Sequence, residues 1–306
     1  MAANRMLIVV ALSSACGRFS FDERELDAKQ DIDAVARCTA FGPWSKPEMP
    51  QDISSDAEEY NGTIESSGTT IIFPSGRAGG MGSADLYMAT RPSTSEPFAT
   101  PVNLANVNSV AADMAPTLSN DELTLYFTSN RGGGPFRLYE ATRASRALPF
   151  GVPSLVPGPF TGLGEVGGPD ISRDGLALYF DATAGGTGGY DLWVATRASV
   201  GDPWGTPSEV SGVNTTGSEN EPTIDDDGLT IYYASDAFEP AQDLVVATRP
   251  DLASPFSTPT KVPLSLNPGV GEYGADISAD GLWMELSIHL GAPMNTNVWL
   301  SSRVCL

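Results

Sequence analysis

The sequence repeats itself five times at a period of about 53 residues, and that period constrains the fold more than any single residue does. Three ladders of positions carry it. An aromatic residue followed three places later by proline recurs at Trp44/Pro47, Phe98/Pro101, Phe150/Pro153, Trp204/Pro207 and Phe256/Pro259. An apolar or aromatic run recurs at Ile71-Ile72-Phe73, Leu125-Tyr126-Phe127, Leu178-Tyr179-Phe180, Ile231-Tyr232-Tyr233 and Met284-Glu285-Leu286. Ala-Thr-Arg recurs at 89–91, 141–143, 195–197 and 247–249, and decays to Ser301-Ser302-Arg303 in the last copy. Three ladders in one register mark an array of one supersecondary unit.

Each unit reads as four short strands. In the third copy these are Pro153–Val156, Gly168–Ser172, Ala177–Asp181 and Asp191–Arg197. Ser172-Arg173-Asp174-Gly175 is a tight-turn signature, because glycine takes positive φ without cost and Ser and Asp side chains bond their own backbone. The same turn recurs at Asp225-Asp226-Asp227-Gly228 and Ser278-Ala279-Asp280-Gly281. With 24 prolines and 32 glycines the chain is punctuated too densely for helices. Four-stranded repeats of this length predict an all-β fold, a five-bladed β-propeller of four-stranded blades over residues 41–306. Each blade needs its neighbours to bury its faces, so the array is expected to close as one body and as a monomer.

The chain ends say how the ring closes. The first aromatic-x-x-Pro segment, Trp44–Met49, precedes every other strand, and the last strand, Asn297–Arg303, ends the repeat. The two are expected to pair antiparallel in one blade. Cys38 stands shortly before the first and Cys305 shortly after the second, so a Cys38–Cys305 disulfide is expected at that edge.

Charge narrows the partners. A formal net charge of −21 leaves little basic surface to neutralise phosphate, which argues against nucleic acid and against anionic membranes. The N-terminus reads as a secretory signal over residues 1–15: Arg5, the apolar run Met6–Leu12, then small residues before Cys16. The small residues leading into Cys16-Gly17 resemble a bacterial lipoprotein cleavage box, although Ser13 occupies the position usually held by Leu. An ordinary signal peptide is the alternative. Residues 16–40 read as a tether behind a lipidated Cys16, and the protein is expected to be exported and lipid-anchored in the cell envelope, touching the membrane only through that anchor.

The motif Pro169-Asp170-Ile171-Ser172-Arg173-Asp174-Gly175, followed by a strand and then Asp191-Leu192-Trp193-Val194-Ala195-Thr196-Arg197, resembles the WD-like propeller repeats of the TolB type. The resemblance covers nearly all of 41–306. It implies an exported propeller that binds partners or ligands in the cell envelope. TolB itself has six blades and an extra N-terminal domain, so its role in the Tol system is not carried over.

A residue present in every blade belongs to the scaffold, because a single site needs asymmetry. By that rule Asp85, Asp191 and Asp243, and Arg91, Arg143, Arg197 and Arg249, are structural, tying loops and neighbouring blades. One repeated position admits a functional reading: Glu59, Asp113, Glu165, Glu219 and Glu272 each stand just ahead of an inner strand. A ring of these carboxylates at one channel mouth would favour Ca²⁺ or a cationic ligand; the alternative is that each caps a backbone amide or pairs with an arginine. No other cofactor is expected. His289, the one histidine, is read as lying in a loop with no catalytic partner. The leading expectation is a non-catalytic propeller binding an envelope protein or a glycan. The alternative is a carbohydrate-active hydrolase using carboxylates among Glu59, Asp113, Asp170, Glu221 and Asp276.

Overall fold

Five four-stranded antiparallel blades stand around a central channel in the computed structural model, which describes residue 38 and residues 40–238, 242–263, 266, 271–278, 280–289 and 296–306. The signal, Cys16 and nearly all of the tether lie outside the described residues. Blade 1 holds β1 (Thr63–Ile64), β2 (Thr70–Ser75), β3 (Asp85–Thr90) and β4 (Val102–Asn103). Blade 2 holds β5 (Asp113–Leu118), β6 (Thr124–Ser129), β7 (Arg137–Thr142) and β8 (Ser154–Leu155). Blade 3 holds β9 (Val166–Ile171), β10 (Ala177–Ala182), β11 (Asp191–Thr196) and β12 (Ser208–Glu209). Blade 4 holds β13 (Glu219–Ile224), β14 (Thr230–Ser235), β15 (Asp243–Thr248) and β16 (Thr260–Lys261). Blade 5 holds β17 (Gly271–Ile277), β18 (Trp283–His289) and β19 (Thr296–Ser302). No helix occurs among the described residues.

Blade 5 takes its fourth strand from the other end of the chain. Ser45 N donates to Ser302 O at 2.7 Å, and Glu48 and Leu300 exchange both backbone bonds at 2.8 Å, in antiparallel bridging. Gly42 N reaches Val304 O at 2.9 Å and Leu306 N reaches Ala40 O at 3.0 Å. The closure expected from the position of Trp44–Met49 is therefore present. Just beyond it Cys38 and Cys305 form the expected disulfide, with Cα atoms 5.4 Å apart. Each aromatic-x-x-Pro segment belongs to the blade before its own repeat, so every repeat straddles two blades.

The core lies between blades. Five hydrophobic clusters each join two neighbours: Ile72 and Leu86 meet Leu125 and Phe127, Tyr126 and Leu138 meet Phe180, Tyr179 and Leu192 meet Ile231 and Tyr233, Tyr232 and Leu244 meet Met284 and Leu286, and Ile71 and Phe73 meet Val298 and Leu300. A second strand covered on both faces has no solvent side, which is why Ile71-Ile72-Phe73 and its counterparts read as continuous apolar runs rather than alternating ones. Each buried Leu, Ile or Phe stabilises by about 1.5–3 kcal/mol.

The three ladders converge on one device. The guanidinium of Arg91 stacks on Phe98 at 4.3 Å, Arg143 on Phe150 at 4.4 Å, Arg197 on Trp204 at 4.2 Å and Arg249 on Phe256 at 4.5 Å. Each Nε donates to the turn carbonyl of its own blade: Gly68, Glu122, Gly175 and Gly228, at 2.7–2.8 Å. In the closing blade Arg303 stacks on Phe41 and Trp44, both from the N-terminal segment, and bonds Gly281 O. Arg249 also donates to Tyr179 Oη at 3.1 Å and Arg303 pairs with Asp225 at 3.0 Å, so these arginines tie blade to blade. Asp85 and Asp191 accept loop amides, Met81 N at 2.8 Å and Thr187 N at 3.3 Å, and Asp243 pairs with Lys261 at 2.8 Å.

Candidate functional site

The inner strands β1, β5, β9, β13 and β17 line the channel and all run from one mouth, here the upper one, to the other. Irregular pairing marks β5, β9 and β13 just inside the upper mouth, and in β17 it skips Tyr273. The shared position is held by Asn61, which stands ahead of β1, and by Ala115, Gly168, Glu221 and Gly274. Four of these have left-handed φ: 48° at Asn61, 46° at Ala115, 48° at Gly168 and 53° at Glu221. Two residues further along stand Thr63, Thr117, Asp170, Thr223 and Asp276. Here a side-chain oxygen of one blade receives the following backbone amide of the next: Ile224 N to Asp170 at 2.6 Å, Ile277 N to Thr223 at 3.3 Å and Ile64 N to Asp276 at 3.1 Å. Thr117 adds a bond to Asp170 at 3.1 Å. This lower ring stitches the inner strands together, with Asp170 and Asp276 among its acceptors.

Burial dominates the electrostatics here. It pushes Asp170 up to about 7 despite four hydrogen bonds to the ionised form, and Asp181 of β10 to about 7 as well. Burial and then the charge of Asp170 hold Asp276 well above the carboxylate range; burial and then Asp276 do the same for Glu285 of β18. Glu221 is raised by burial first, then by Asp181 and Glu285.

Above this shared inner-strand position the mouth opens into a depression of about 650 Å³. Its wall carries Tyr60, Tyr190 and Tyr273, the amides of Asn61, Asn220 and Gln242, and the carboxylates of Glu58, Glu221 and Asp236; among the described residues no lysine or arginine lines it. Tyr190 donates its hydroxyl to Glu165 at 2.6 Å, and Gln242 donates to Asn220 at 2.7 Å. His289 is not in a loop: it ends β18, faces Tyr273 edge-on at 6.3 Å and lines the same depression.

The acidic register does not build one ring of free carboxylates. Glu59 accepts Ser55 N at 3.1 Å, Ser75 Oγ at 2.9 Å and Arg77 at 3.0 Å. Asp113 repeats this with Ser109 N at 2.6 Å and Arg131 at 2.5 Å, and Glu219 with Thr215 N at 3.0 Å and Ser235 Oγ at 3.2 Å. Each partner lies in the same blade or the loop that enters it, so these three carboxylates cap their own approach loops. Glu272 is buried at the equivalent place. In the third copy that place belongs to Val166: its amide bonds the preceding blade at Phe136 O, as Asp113 N bonds Ala84 O and Glu219 N bonds Tyr190 O. Glu165 falls one residue earlier and turns to Tyr190. Among the described residues no three His, Cys, Asp or Glu side chains gather as metal ligands.

Of the five carboxylates weighed for hydrolysis, Glu221 alone reaches the depression. The tyrosines and amides were missed because they occupy non-repeating positions. For Tyr60, Asn220 and Tyr273 the signal is the loss of symmetry: one residue ahead of the shared inner-strand position the five blades read Tyr60, Met114, Gly167, Asn220 and Tyr273.

No protein-family model and no curated protein matches the sequence. Solved structures do match in fold. The catalytic domain of a GH62 α-L-arabinofuranosidase from Coprinopsis cinerea superposes with a TM-score of 0.59 at 9% identity, over 85% of this chain and 96% of that one. A TolB from Agrobacterium tumefaciens superposes with a TM-score of 0.52 at 14% identity, over 80% and 77%. A TolB from Acinetobacter baumannii gives 0.48 at 15% identity over 78% of this chain, which spans 53% of that longer protein. What the chain shares with these proteins is the propeller fold.

Proposed function

We propose that the protein is a non-catalytic, exported propeller, anchored in the cell envelope through Cys16, that binds a glycan at its upper mouth. The observation that carries this is the make-up of the 650 Å³ depression. Tyrosine rings offer flat apolar faces with a polar tip, suited to the face of a sugar ring. Amides and carboxylates around them supply acceptors and donors for hydroxyl groups. With no lysine or arginine among the described residues of the wall, an anionic ligand finds no counter-charge there. Isothermal titration with neutral oligosaccharides of three to five units is expected to give saturable binding that Tyr190→Ala weakens at least tenfold. Absence of binding across a broad neutral glycan panel would refute the reading.

A second reading, a hydrolase, is supported by Glu221, an acid raised by burial at the floor of the mouth, and by the fold shared with an α-L-arabinofuranosidase. Release of arabinose from arabinoxylan or arabinan that Glu221→Gln abolishes would favour it. Binding without release favours the first reading.

A further inference from the structure

We propose that Glu221 is a neutral carboxylic acid joined to Asn61 by a pair of hydrogen bonds that plugs the waist of the channel, and that ionisation of Glu221 releases the plug. Asn61 and Glu221 belong to blades 1 and 4, which are not neighbours; blade 5 stands between them. Asn61 Nδ2 donates to Glu221 Oε1, so the bond spans the opening over blade 5. The two remaining oxygens, Asn61 Oδ1 and Glu221 Oε2, are both shielded from water and neither has a partner.

Both orphan oxygens converge on one point, the place where Gly274 would carry a Cβ. That atom would overlap Glu221 Oε2 and stand 3.1 Å from Asn61 Oδ1. Two acceptors buried beside one point lack a donor, and a buried acceptor left without one bears the desolvation penalty unrelieved. A proton on Glu221 Oε2 supplies the donor: the acid O–H bonds Asn61 Oδ1 while Asn61 Nδ2 bonds Oε1. Turning the amide over changes nothing, since one oxygen would still face another.

The surroundings favour the neutral form. Asp181 of β10 accepts Glu221 N at 2.9 Å, and Glu285 of β18 lies close enough to act on its charge. Asp170 and Asp276 line the waist below, and Glu58, Tyr60 and Glu165 face it from above. All are acids, and among the described residues no lysine or arginine lines the waist. A negative charge at Glu221 would be buried among like charges, which disfavours it. Both residues hold the left-handed φ that Ala115 and Gly168 also adopt at the equivalent position, so the backbone there belongs to the repeat and only the two side chains are particular to the pair. The inference holds whether or not the mouth takes a glycan, and it engages the proton that a hydrolase would have to donate.

The test uses Glu221→Gln, in which an amide reproduces both bonds at every pH, compared with wild type by thermal melting between about pH 5 and pH 8. The wild type is expected to lose about 5 °C relative to the variant over about two pH units above the ordinary value of 4.5, where the unfolded chain has given up a proton that the folded protein still holds. In parallel, carboxyl ¹³C titration of the wild-type protein, assigned by loss of the resonance in the variant or in Glu221→Asp, is expected to show Glu221 protonated at pH 5. Parallel melting curves, or a resonance titrating near the ordinary value of 4.5, would overturn the proposal. If neither variant folds, Gly274→Ala serves for the assignment by shifting the same resonance, and the wild-type titration decides alone.

Discussion

Reducing the Cys38–Cys305 disulfide should loosen the ring at one blade without dismantling it. The bridge joins residues 267 apart, so it closes nearly the whole described chain into one loop. In the chain-entropy account the unfolded state loses about 2.1 + 1.5R ln n cal/mol/K, which for a loop of this size is roughly 5–6 kcal/mol at 25 °C. That is an upper figure, because a reduced unfolded chain retains compact structure. At about 2 °C per kcal/mol for a body of this size, the melting temperature falls by at most about 12 °C. The folded ring persists, because the bonds among Gly42, Ser45, Glu48, Leu300, Ser302 and Val304 do not involve sulfur, and Arg303 still grips Phe41 and Trp44. Scanning calorimetry of oxidised protein, reduced protein with both thiols counted, and Cys305→Ser measures the loss. Hydrogen exchange should separate the two effects, with the amides of Glu48 and Leu300 speeding by local opening and those of β9 and β13 only by the loss of global stability. A fully reduced protein melting within about 1 °C of the oxidised one would refute the argument that the terminal strand is the weak seam.

Arg197→Lys should destabilise by about 1–3 kcal/mol, since lysine keeps the charge but loses the planar stack on Trp204 and the directed bond to Gly175 O; chemical denaturation measures it. The buried acids make stability fall as pH rises. Asp170 and Asp181 have folded values of about 7 against an ordinary 3.8, so the folded state holds their protons longer. Their contribution is complete below about pH 4 and is lost as pH rises through about 7, at ~1.4 kcal/mol per pH unit per group. A melting temperature that climbs between pH 4 and pH 7 would contradict this. Calcium should leave the melting temperature unchanged, because Glu59, Asp113 and Glu219 already spend their oxygens on loop donors; a rise that Asp113→Asn removes would restore the cation reading. Mass spectrometry of exported protein should find a lipidated Cys16 at its N-terminus, and a free N-terminus elsewhere would leave the protein without its anchor.

Much of this architecture was legible in the residues alone. The 53-residue register specified five blades, because a four-stranded unit with apolar faces must be repeated and closed to leave water. The lone Trp44-x-x-Pro segment ahead of the first blade specified the closure, and Cys38 and Cys305 followed from it. The ladder arginines were identified as scaffold because repetition is the signature of packing. The site was not legible in the same way, since it is built from departures from the repeat. Tyr60, Tyr190 and Tyr273 lie far apart along the chain and line one depression only because blades 1, 3 and 5 close around one axis. Glu59, Asp113 and Glu219 share a position, which suggested a ring, yet orientation decided their role: each turns back to a serine or threonine four residues earlier. The shift from Glu165 to Val166 came from register, which the irregular loop of the third copy displaces by one residue. Glu221 and Asn61 pair across an opening that no local pattern encodes, and the space for it is the missing side chain of Gly274. Sequence thus determined the repeat, its closure and its staple, because these follow from local periodicity and chain order. Tertiary structure alone decided which polar atoms meet at the axis, because that depends on how five blades, each locally alike, aim their few unlike residues at one another.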